Sequence, residues 1–483
     1  MVQLELHRRQ EAEARVRAQD TFQSPGQPLF DRPRTDTLYF GNKGPVSVAE
    51  AEQRIRRLEQ RLPATRYILN LCTDRHHFLV AFAAVLSSGR INLLPPNAQP
   101  ETVAELLDRY EDVGVVHDSM PSAFVPGYSV VNVRDAANEQ IPESTACLDE
   151  GDDRPVAHRD AIAAISFTSG STGLPRANEK TWGMLVDGTD INLAAVLGDR
   201  PEHVSMLATV PPQHMYGLEL SVLMPMRARI SVHAGQPLYP ADVITALNDM
   251  PTPRALVTTP AHLRTLLGSG EALPATQHIF SATAPLEADM ASRAESAFAG
   301  TLTEIYGCSE VGSIARRVTA RESDWQVFDG LSLVETINID SRTTDVRIVA
   351  AHLTEAAELQ DSIELVAPNR FHLRGRRDDL INIAGKRGSL AEVNRRLIAV
   401  PGVVDGVAFQ PSDGRLAAIV VAPDLDRSQL INALRQVLDP VFLPRPILFV
   451  DRLPRQGSSK LRRSDLMALL DAHRHSGSAS AEA

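Results

Sequence analysis

Short apolar segments alternate with helical patterns along most of this chain, from about residue 45 onward. VAEAEQRIRRLEQRL (48–62) and FLVAFAAVLSSG (78–89) have helical spacing, whereas RYILNLC (66–72) and AIAAISF (161–167) are short apolar runs typical of buried strands. This alternation favours helices packed on mostly parallel sheets, because parallel strands need crossover connections. We therefore predict an α/β fold, with a large N-terminal domain of layered, mostly parallel sheets and a small α/β C-terminal domain.

The charge of the chain changes sign near residue 375. The residues before this point carry more acidic than basic side chains, and the remainder carries more basic than acidic ones. Charge alone is also compatible with two differently solvated surfaces. The basic part, however, has its own helix and strand patterns, starting at the capping-box pattern SLAE. The predicted division is an N-terminal domain over 1–375, a C-terminal domain over 376–470, and a low-complexity, disordered tail over 471–483.

Composition argues against several classes of protein. The net charge of −11 and the 5% aromatic content are atypical of nucleic-acid binders, which usually have basic surfaces and stacking side chains. Cys72, Cys147 and Cys308 are too far apart to indicate a metal site or a disulfide framework. The charged N-terminus is unlike a signal peptide, and the apolar run 78–86 is too short to cross a bilayer. We expect a cytoplasmic protein with no membrane insertion and no nucleic-acid partner.

The segment TSGSTGLPR (168–176) directly follows a predicted strand. Its glycines allow close backbone approach and its hydroxyl groups can donate hydrogen bonds, so it could surround phosphate oxygens. Taken alone, a segment of this composition is more often an ordinary turn. The P-loop pattern G-x-x-x-x-G-K-[ST] does not occur in the chain, which argues against a P-loop kinase.

The order of further motifs favours the phosphate-binding interpretation. The chain resembles the adenylate-forming superfamily, which includes acyl-CoA synthetases, aryl-acid ligases, peptide-synthetase adenylation domains and luciferases. The resemblance covers about residues 35–470. It rests on six segments in the superfamily's order: TSGSTGLPR (168–176), SATAPL (281–286), IYGCSE (305–310), LQDSIEL (359–365), GRRDDLINIAGKRGSLAEV (375–393) and LPRQGSSKLRRSDL (453–466).

The resemblance implies a reaction and its cofactors. Members of the superfamily join a carboxylate to ATP with release of pyrophosphate, and usually transfer the acyl group to a pantetheine thiol. The implied cofactors are ATP, Mg²⁺, and the thiol of CoA or of the phosphopantetheine of an acyl carrier protein. The implied partners are a small-molecule carboxylic acid and, as an alternative to CoA, a separate acyl carrier protein. The C-terminal domain is expected to act as a mobile lid.

The resemblance also assigns chemical roles to particular side chains. Lys460 would bridge the substrate carboxylate and the α-phosphate, and Glu310, beside the Ser309 hydroxyl, would hold Mg²⁺. His214 in PPQHMYGLE would line and close the acyl pocket, with a packed core histidine as the alternative. The expected nucleotide contacts are Thr168, Ser169, Gly170, Ser171, Thr172, Gly173, Arg176, Ala284, Tyr306, Asp361 and Arg376.

The second domain is expected to take part in both half-reactions. Asp378 falls on the superfamily's hinge, and Gly385 and Arg387 would lie beside the thiol arm. The match to the superfamily is weaker here, because Gly388 and Leu390 stand where isoleucine and proline are usual. The adenylation step is therefore better supported than the thioester step.

Departures from the pattern also occur in the first domain. Arg176 replaces the phosphate-loop lysine, which keeps the positive charge but fixes it in a planar fork. Ala282 and Thr283 occupy the positions of two superfamily glycines, which is expected to narrow the adenine pocket locally. None of these changes removes a charge that adenylation needs.

The acyl segment lacks a residue pair that amino-acid-activating members carry, and this limits the substrate class. Amino-acid-activating members carry a Phe-Asp pair here, whose aspartate binds the substrate ammonium, and this chain has none. We therefore predict an aryl or other non-amino acid. A fatty-acyl-AMP ligase, a ligase that serves only a carrier protein, and a non-catalytic nucleotide-binding regulator are the alternatives. The presence of Lys460 and Glu310 argues against the regulator, and the sequence leaves the oligomeric state open.

Overall fold

The computed structural model shows a chain that divides into two compact units. The first comprises residues 1–323, 327–331 and 350–355, and the second comprises 324–326, 332–349 and 356–483. The boundary predicted at 375 and the mobility of a lid stay predictions. The residues that the structure describes are 25–41, 44–119, 127–138, 154–168, 176–198, 201–338, 343–376, 380–383, 386–411, 415–454, 461 and 463–479.

The first unit contains a smaller sheet that is mostly parallel. Its described strands, in spatial order, are Arg176–Thr181, Ile162–Thr168, Ile91–Leu94, Tyr67–Asn70, Val113–His117 and Ser129–Asn132. Only the pairing of the first two, among these described strands, is antiparallel. Every residue of Ile91–Leu94 and Val113–His117 is buried, as expected for parallel strands that are covered on both faces.

The larger sheet of the first unit confirms the predicted parallel arrangement. Its described strands, in spatial order, are Gly312–Arg317, Thr301–Cys308, His278–Ser281, Arg254–Thr258, Val204–Ala208, Ile230–His233, Thr37–Gly41 and Gly44–Ser47. The outermost pairing at each end is antiparallel, and the pairings between them are parallel. A separate short ribbon pairs Gly26–Pro28 with Val156–His158.

Local signals explain where the helices of the first unit begin. The described helices are Val48–Glu59, Arg75–Ser87, Pro100–Arg109, Val133–Asn138, Trp182–Leu197, Met215–Leu218, a π-helical turn Glu219–Leu223, Met224–Arg227, Pro240–Asp249, Pro260–Gly268 and Ala288–Phe298. Ser47 and Glu50 form a capping box, and Asp74 accepts from the backbone N–H of His76 and His77. The helix predicted over 78–89 therefore starts earlier, at Arg75.

In the described ranges, no helix combines the length and the apolarity that crossing a membrane would require.

The second unit is a set of small sheets with helices. Its strands, wholly or for the most part, are Trp325–Val327, Leu331–Asn338, Thr343–Ala350, Ala357–Glu358, Asp361–Ala367, Arg370–Arg376, Leu380–Ile383, Lys386–Ser389, Asp405–Phe409, Ala417–Val421 and Ile447–Phe449. Its helices are Leu390–Ile398, Arg427–Arg435, the 3₁₀ turn Pro440–Phe442 and Arg463–Ala479. The strands Asp405–Phe409 and Ala417–Val421, in the basic part of the chain, pair with each other.

The last described helix reaches into the predicted tail. The helix Arg463–Ala479 continues into the segment 471–483, which composition predicted to be disordered. Leu466 and Leu470 of this helix are buried against Phe409 and Ile419. An amphipathic start that packs on a sheet favours continuation of the helix, because most helical stability in proteins comes from such packing. The disorder predicted for 471–483 stays a prediction.

Arg32 holds together segments of the first unit that are distant in the sequence. Its side chain is 1% exposed. Nη1 donates to the backbone carbonyls of Pro225 at 3.0 Å and Ile230 at 2.6 Å, and Nη2 donates to that of Thr37 at 3.0 Å. Asp36 lies 3.5 Å from Nη2 and balances the buried charge.

Replacing Arg32 should reveal this role. We expect Arg32→Met to lower the free energy of unfolding by about 3–5 kcal/mol, because the variant leaves buried acceptors without a donor. The matched control is Arg229→Met, since Arg229 bonds the same Asp36 but is 55% exposed; its loss should cost less than about 1 kcal/mol. Urea-induced unfolding measures both variants, and equal losses would contradict the assignment.

Candidate functional site

Three segments that carry predicted site residues follow parallel strands of the larger sheet. Residues 209–214 follow Val204–Ala208, residues 282–284 follow His278–Ser281, and the turn 309–311 follows Thr301–Cys308. The carboxyl ends of parallel strands lie at one edge of a sheet, and ligands of open α/β sheets bind at that edge. The order of strands thus brings the acyl, adenine and Tyr-Gly-x-Ser-Glu segments to the same edge.

The turn 309–311 joins two antiparallel strands. Glycine is required shortly before this turn, at position 307. The register shifts between Tyr306 and Gly307. A Cβ on Gly307 would lie 2.3 Å from the carbonyl oxygen of Gly312, which is closer than any side chain allows. Tyr306 is buried, and Ser309 and Glu310 are half-buried. A carboxylate and a hydroxyl are oxygen donors of the kind that Mg²⁺ prefers, so this donor set fits the implied metal.

A buried lysine, which the sequence did not indicate, contacts this turn. Lys180 lies on the strand Arg176–Thr181 and is 2% exposed. Its Nζ donates a hydrogen bond to the backbone carbonyl of Glu310. Burial lowers the pKa of Lys180, and the nearby Cys308 and Glu219 partly oppose that change.

Glu219 is a second buried charged residue that sequence reasoning missed. It begins the π-helical turn Glu219–Leu223 and accepts from the Ser313 backbone N–H, 3.1 Å from each carboxylate oxygen, and from the Ser313 hydroxyl. Asn192 donates to it at 3.3 Å. Burial raises the pKa of Glu219 to about 7, although these bonds and Lys180 favour the charged form. A glutamate inside the apolar run MYGLELSVLMP was the available signal, because an unpaired glutamate is rarely buried.

The raised pKa makes stability depend on pH in a defined direction. Between pH 4.5 and about 7 the unfolded chain has released the proton of Glu219, whereas the folded protein keeps it. The contribution of this group to folding stability therefore falls as pH rises through that interval, and it is constant above it. Lys180, Ser313 and Asn192 surround this carboxyl group and favour its charged form.

We expect Glu219→Gln to remove this component of the pH dependence. The new amide can donate to Oδ1 of Asn192, an atom with no hydrogen-bond partner in the described part of the chain. From pH 5 to pH 8 the wild type should lose stability relative to the variant by on the order of 2–3 kcal/mol. Urea unfolding at several pH values tests this, and parallel curves for the two proteins would contradict it.

Gly312 allows Glu219 to approach the hairpin. Its φ is +101°, and a Cβ would lie 2.1 Å from Oε1 of Glu219. We expect Gly312→Ala to lower the free energy of unfolding by at least about 3 kcal/mol, since it adds backbone strain and displaces a buried carboxyl group. Gly268→Ala is the control, because Gly268 ends a helix and nothing lies within 4 Å of its added Cβ. Chemical denaturation of both variants measures the difference.

The adenine segment keeps a backbone that glycine would favour. Thr283 has a φ of +79°, a region that β-branched residues rarely occupy. Such a conformation stores strain on the order of 1–3 kcal/mol, and strained residues cluster at functional sites. Thr283 and Ala284 are both exposed. The local narrowing of the pocket stays a prediction.

Other predicted residues occupy paired positions on strands. Thr168 and Arg176 are cross-strand partners on either side of the predicted phosphate loop. In the second unit, Asp361 is the cross-strand partner of Arg376, so these two expected nucleotide contacts stand opposite each other on neighbouring strands. Arg387 lies on Lys386–Ser389, opposite Asn382.

His214 is half-buried at the N-cap position of Met215–Leu218. Predicted residues outside the described residues are Ser169, Gly170, Ser171, Thr172, Gly173, Asp378, Gly385 and Lys460.

Comparison with known proteins decides the family. Residues 36–360 match the family model described as AMP-binding enzyme. The chain belongs to the AMP-binding enzyme family. Relatives of this AMP-binding enzyme include a 4-coumarate–CoA ligase of Halorhodospira halophila, which is 29% identical over 61% of this chain and 74% of its own length. A 4-chlorobenzoate–CoA ligase of Pseudomonas sp. is 24% identical over 81% of this chain and 83% of its own.

Solved structures show which proteins share the fold of this chain. The o-succinylbenzoate CoA synthetase MenE of Bacillus subtilis, in complex with its acyl-adenylate intermediate, has a TM-score of 0.75 at 17% identity, covering 92% of this chain and 98% of its own. ATP-bound MatB of Rhodopseudomonas palustris has a TM-score of 0.74 at 20% identity, covering 91% and 97%. The predicted fold class is thereby confirmed.

Proposed function

We propose that this AMP-binding enzyme is an ATP-dependent carboxylic-acid ligase. It forms an acyl-adenylate with release of pyrophosphate, and then transfers the acyl group to the thiol of CoA. The observation that carries the proposal is the position of Ser309 and Glu310 at the strand-end edge of the larger sheet, next to the adenine and acyl segments, in a chain whose relatives are CoA ligases. Transfer to an acyl carrier protein is the alternative second step.

The chemistry needs positioning and neutralisation of charge. An anionic carboxylate must reach the α-phosphorus of a polyanion, so oriented cationic groups lower the barrier. Glu310 and Ser309 would hold Mg²⁺, which supplies positive charge to the phosphates when bound. Lys460 would bring a further charge to the α-phosphate and the substrate carboxylate, and Arg176 with the loop 168–173 would bind the β- and γ-phosphates. Tyr306 and Ala284 would contact the adenine, and Asp361 with Arg376 the ribose.

The second half of the proposal concerns the C-terminal residues. The domain 376–470 would rotate about Asp378 between adenylation and thioester formation, which needs a permissive backbone at that point. Gly385 and Arg387 would then contact the pantetheine arm of CoA. These roles rest on the sequence motif that contains the three residues.

We infer that the acid is aromatic. The relatives named above act on 4-coumarate and 4-chlorobenzoate, and another, of Thauera aromatica, acts on 3- and 4-hydroxybenzoate. The acyl segment offers His214 beside Met215 and Tyr216, and it lacks the aspartate that an amino acid would need. A fatty-acyl substrate is the alternative.

A panel of acids tests the function. Purified protein, ATP and MgCl₂ are incubated with aryl, short-chain, long-chain and amino acids in hydroxylamine, and trapped adenylate and released pyrophosphate are measured. We expect turnover with aryl acids. Turnover with long-chain acids alone would replace the aryl assignment, and ATP binding without turnover on any acid would favour a regulator. Addition of CoA or of a phosphopantetheinylated carrier protein then identifies the acceptor.

Lys460→Ala provides the mechanistic control. We expect it to lower the rate of adenylate formation about 10²- to 10³-fold, the usual effect of removing one group that stabilises transition-state charge. The KM for the acid should change much less than kcat. An unchanged kcat would contradict the role assigned to Lys460.

A further inference from the structure

Two buried ionisable side chains contact the hairpin, one at the turn 309–311 and one just after it. The Lys180 ammonium donates to the carbonyl of Glu310, within the turn. The Glu219 carboxyl group accepts from the N–H and the hydroxyl of Ser313, in the strand that follows the turn. The two side chains are 2% and 4% exposed, so they make these contacts away from water. The turn that carries Glu310 and the start of the next strand are therefore both contacted from within the first unit.

A hairpin does not need such groups in order to close. The strands Thr301–Cys308 and Gly312–Arg317 already pair through a ladder that includes the shift beside Gly307. Burying a charge costs free energy, and the contacts of a buried pair often only offset that cost. Among the described residues, the Lys180 ammonium bonds one carbonyl, and stability alone explains poorly why a lysine is buried for this contact. The burial of Lys180 is explained better if its ammonium controls the backbone geometry of the turn 309–311.

Both contacts are made with backbone groups of the hairpin close to the Glu310 side chain. Fixing the carbonyl of Glu310 fixes the ψ angle of that residue, and fixing the N–H of Ser313 limits how the rest of the turn can move. Together they limit the directions in which the Glu310 side chain can leave the backbone. A metal ligand needs this kind of support, because loss of the groups that orient it typically costs 10- to 100-fold in metal affinity.

We propose that Lys180 and Glu219 are positioning residues that orient Glu310 toward the Mg²⁺ of bound ATP. This inference rests on the proposed function, in which Glu310 holds the metal. Neither residue contacts substrate in the proposal. Glu219 also belongs to the segment that begins at His214, so the same contact joins the acyl segment to the strand that follows the turn 309–311.

Isothermal titration calorimetry separates this role from a general loss of stability. ATP is titrated into each protein with and without excess MgCl₂, and the ratio of the two dissociation constants gives the enhancement by Mg²⁺. We expect Lys180→Met and Glu219→Leu to lower this enhancement about 10-fold or more while metal-free ATP binding changes little. Glu310→Gln serves as the reference, because it shows how much of the enhancement by Mg²⁺ is lost when the metal-binding carboxylate itself is removed.

Three further variants test specificity. Glu304→Gln is the matched control, because Glu304 is a buried carboxylate of the same hairpin, bonded to Arg317 at 2.8 Å, but remote from the turn. It should lower the melting temperature and leave the enhancement unchanged. Glu219→Gln keeps an acceptor for Ser313 and should retain most of the enhancement. Lys180→Arg keeps a donor for the Glu310 carbonyl and should restore part of it.

The outcomes distinguish this inference from the proposed function. If the wild type binds ATP and forms adenylates with normal enhancement, and Lys180→Met lowers only the melting temperature, positioning is wrong and the proposed function stands. If Glu304→Gln lowers the enhancement as much as Lys180→Met, the effect is one of stability and positioning is again wrong. If the wild type does not bind ATP, the proposed function fails and the inference fails with it.

Discussion

A buried carboxyl group, that of Glu219, joins three parts of the first unit that are far apart in the sequence. It belongs to the acyl segment, it accepts from Asn192 of the helix Trp182–Leu197, and it accepts from Ser313 at the start of the last strand of the larger sheet. Gly312 allows this contact because it has no side chain in the way. This contact therefore ties the strand that follows the turn 309–311 to the acyl segment and to the helix Trp182–Leu197.

The motif residues of the site were predictable because their information is local. The Tyr-Gly-x-Ser-Glu segment needs a strand, a glycine at a close approach and a turn, and all three are present within a few residues. Lys180 and Glu219 carried no comparable signal, since their partners lie 130 and 94 residues away. Whether a charged side chain is buried depends on which distant segment packs over it, and a single sequence does not contain that information in readable form.

The distinction between local and distant information also explains how well the helices and strands were predicted. The apolar runs predicted to be strands are strands, with ends that shift by one or two residues, because burial on both faces of a parallel sheet leaves a strong pattern. The helix at Arg75 starts earlier than its apolar residues indicated, since Asp74 caps it. The end of the last helix has a polar composition and so carried no readable helical signal, whereas the helix packs through Leu466 and Leu470 further upstream.

The opposite charges of Lys180 and Glu219 have a consequence for how this enzyme can diverge. Each lies in the electrostatic field of the other, and loss of either one leaves the other buried without its counterpart. Single replacements by apolar residues are therefore disfavoured steps, whereas a double replacement by two apolar residues of similar volume is tolerated more readily. Homologous sequences should accordingly keep or lose this pair as a unit, and a family tree would show the two positions changing on the same branches.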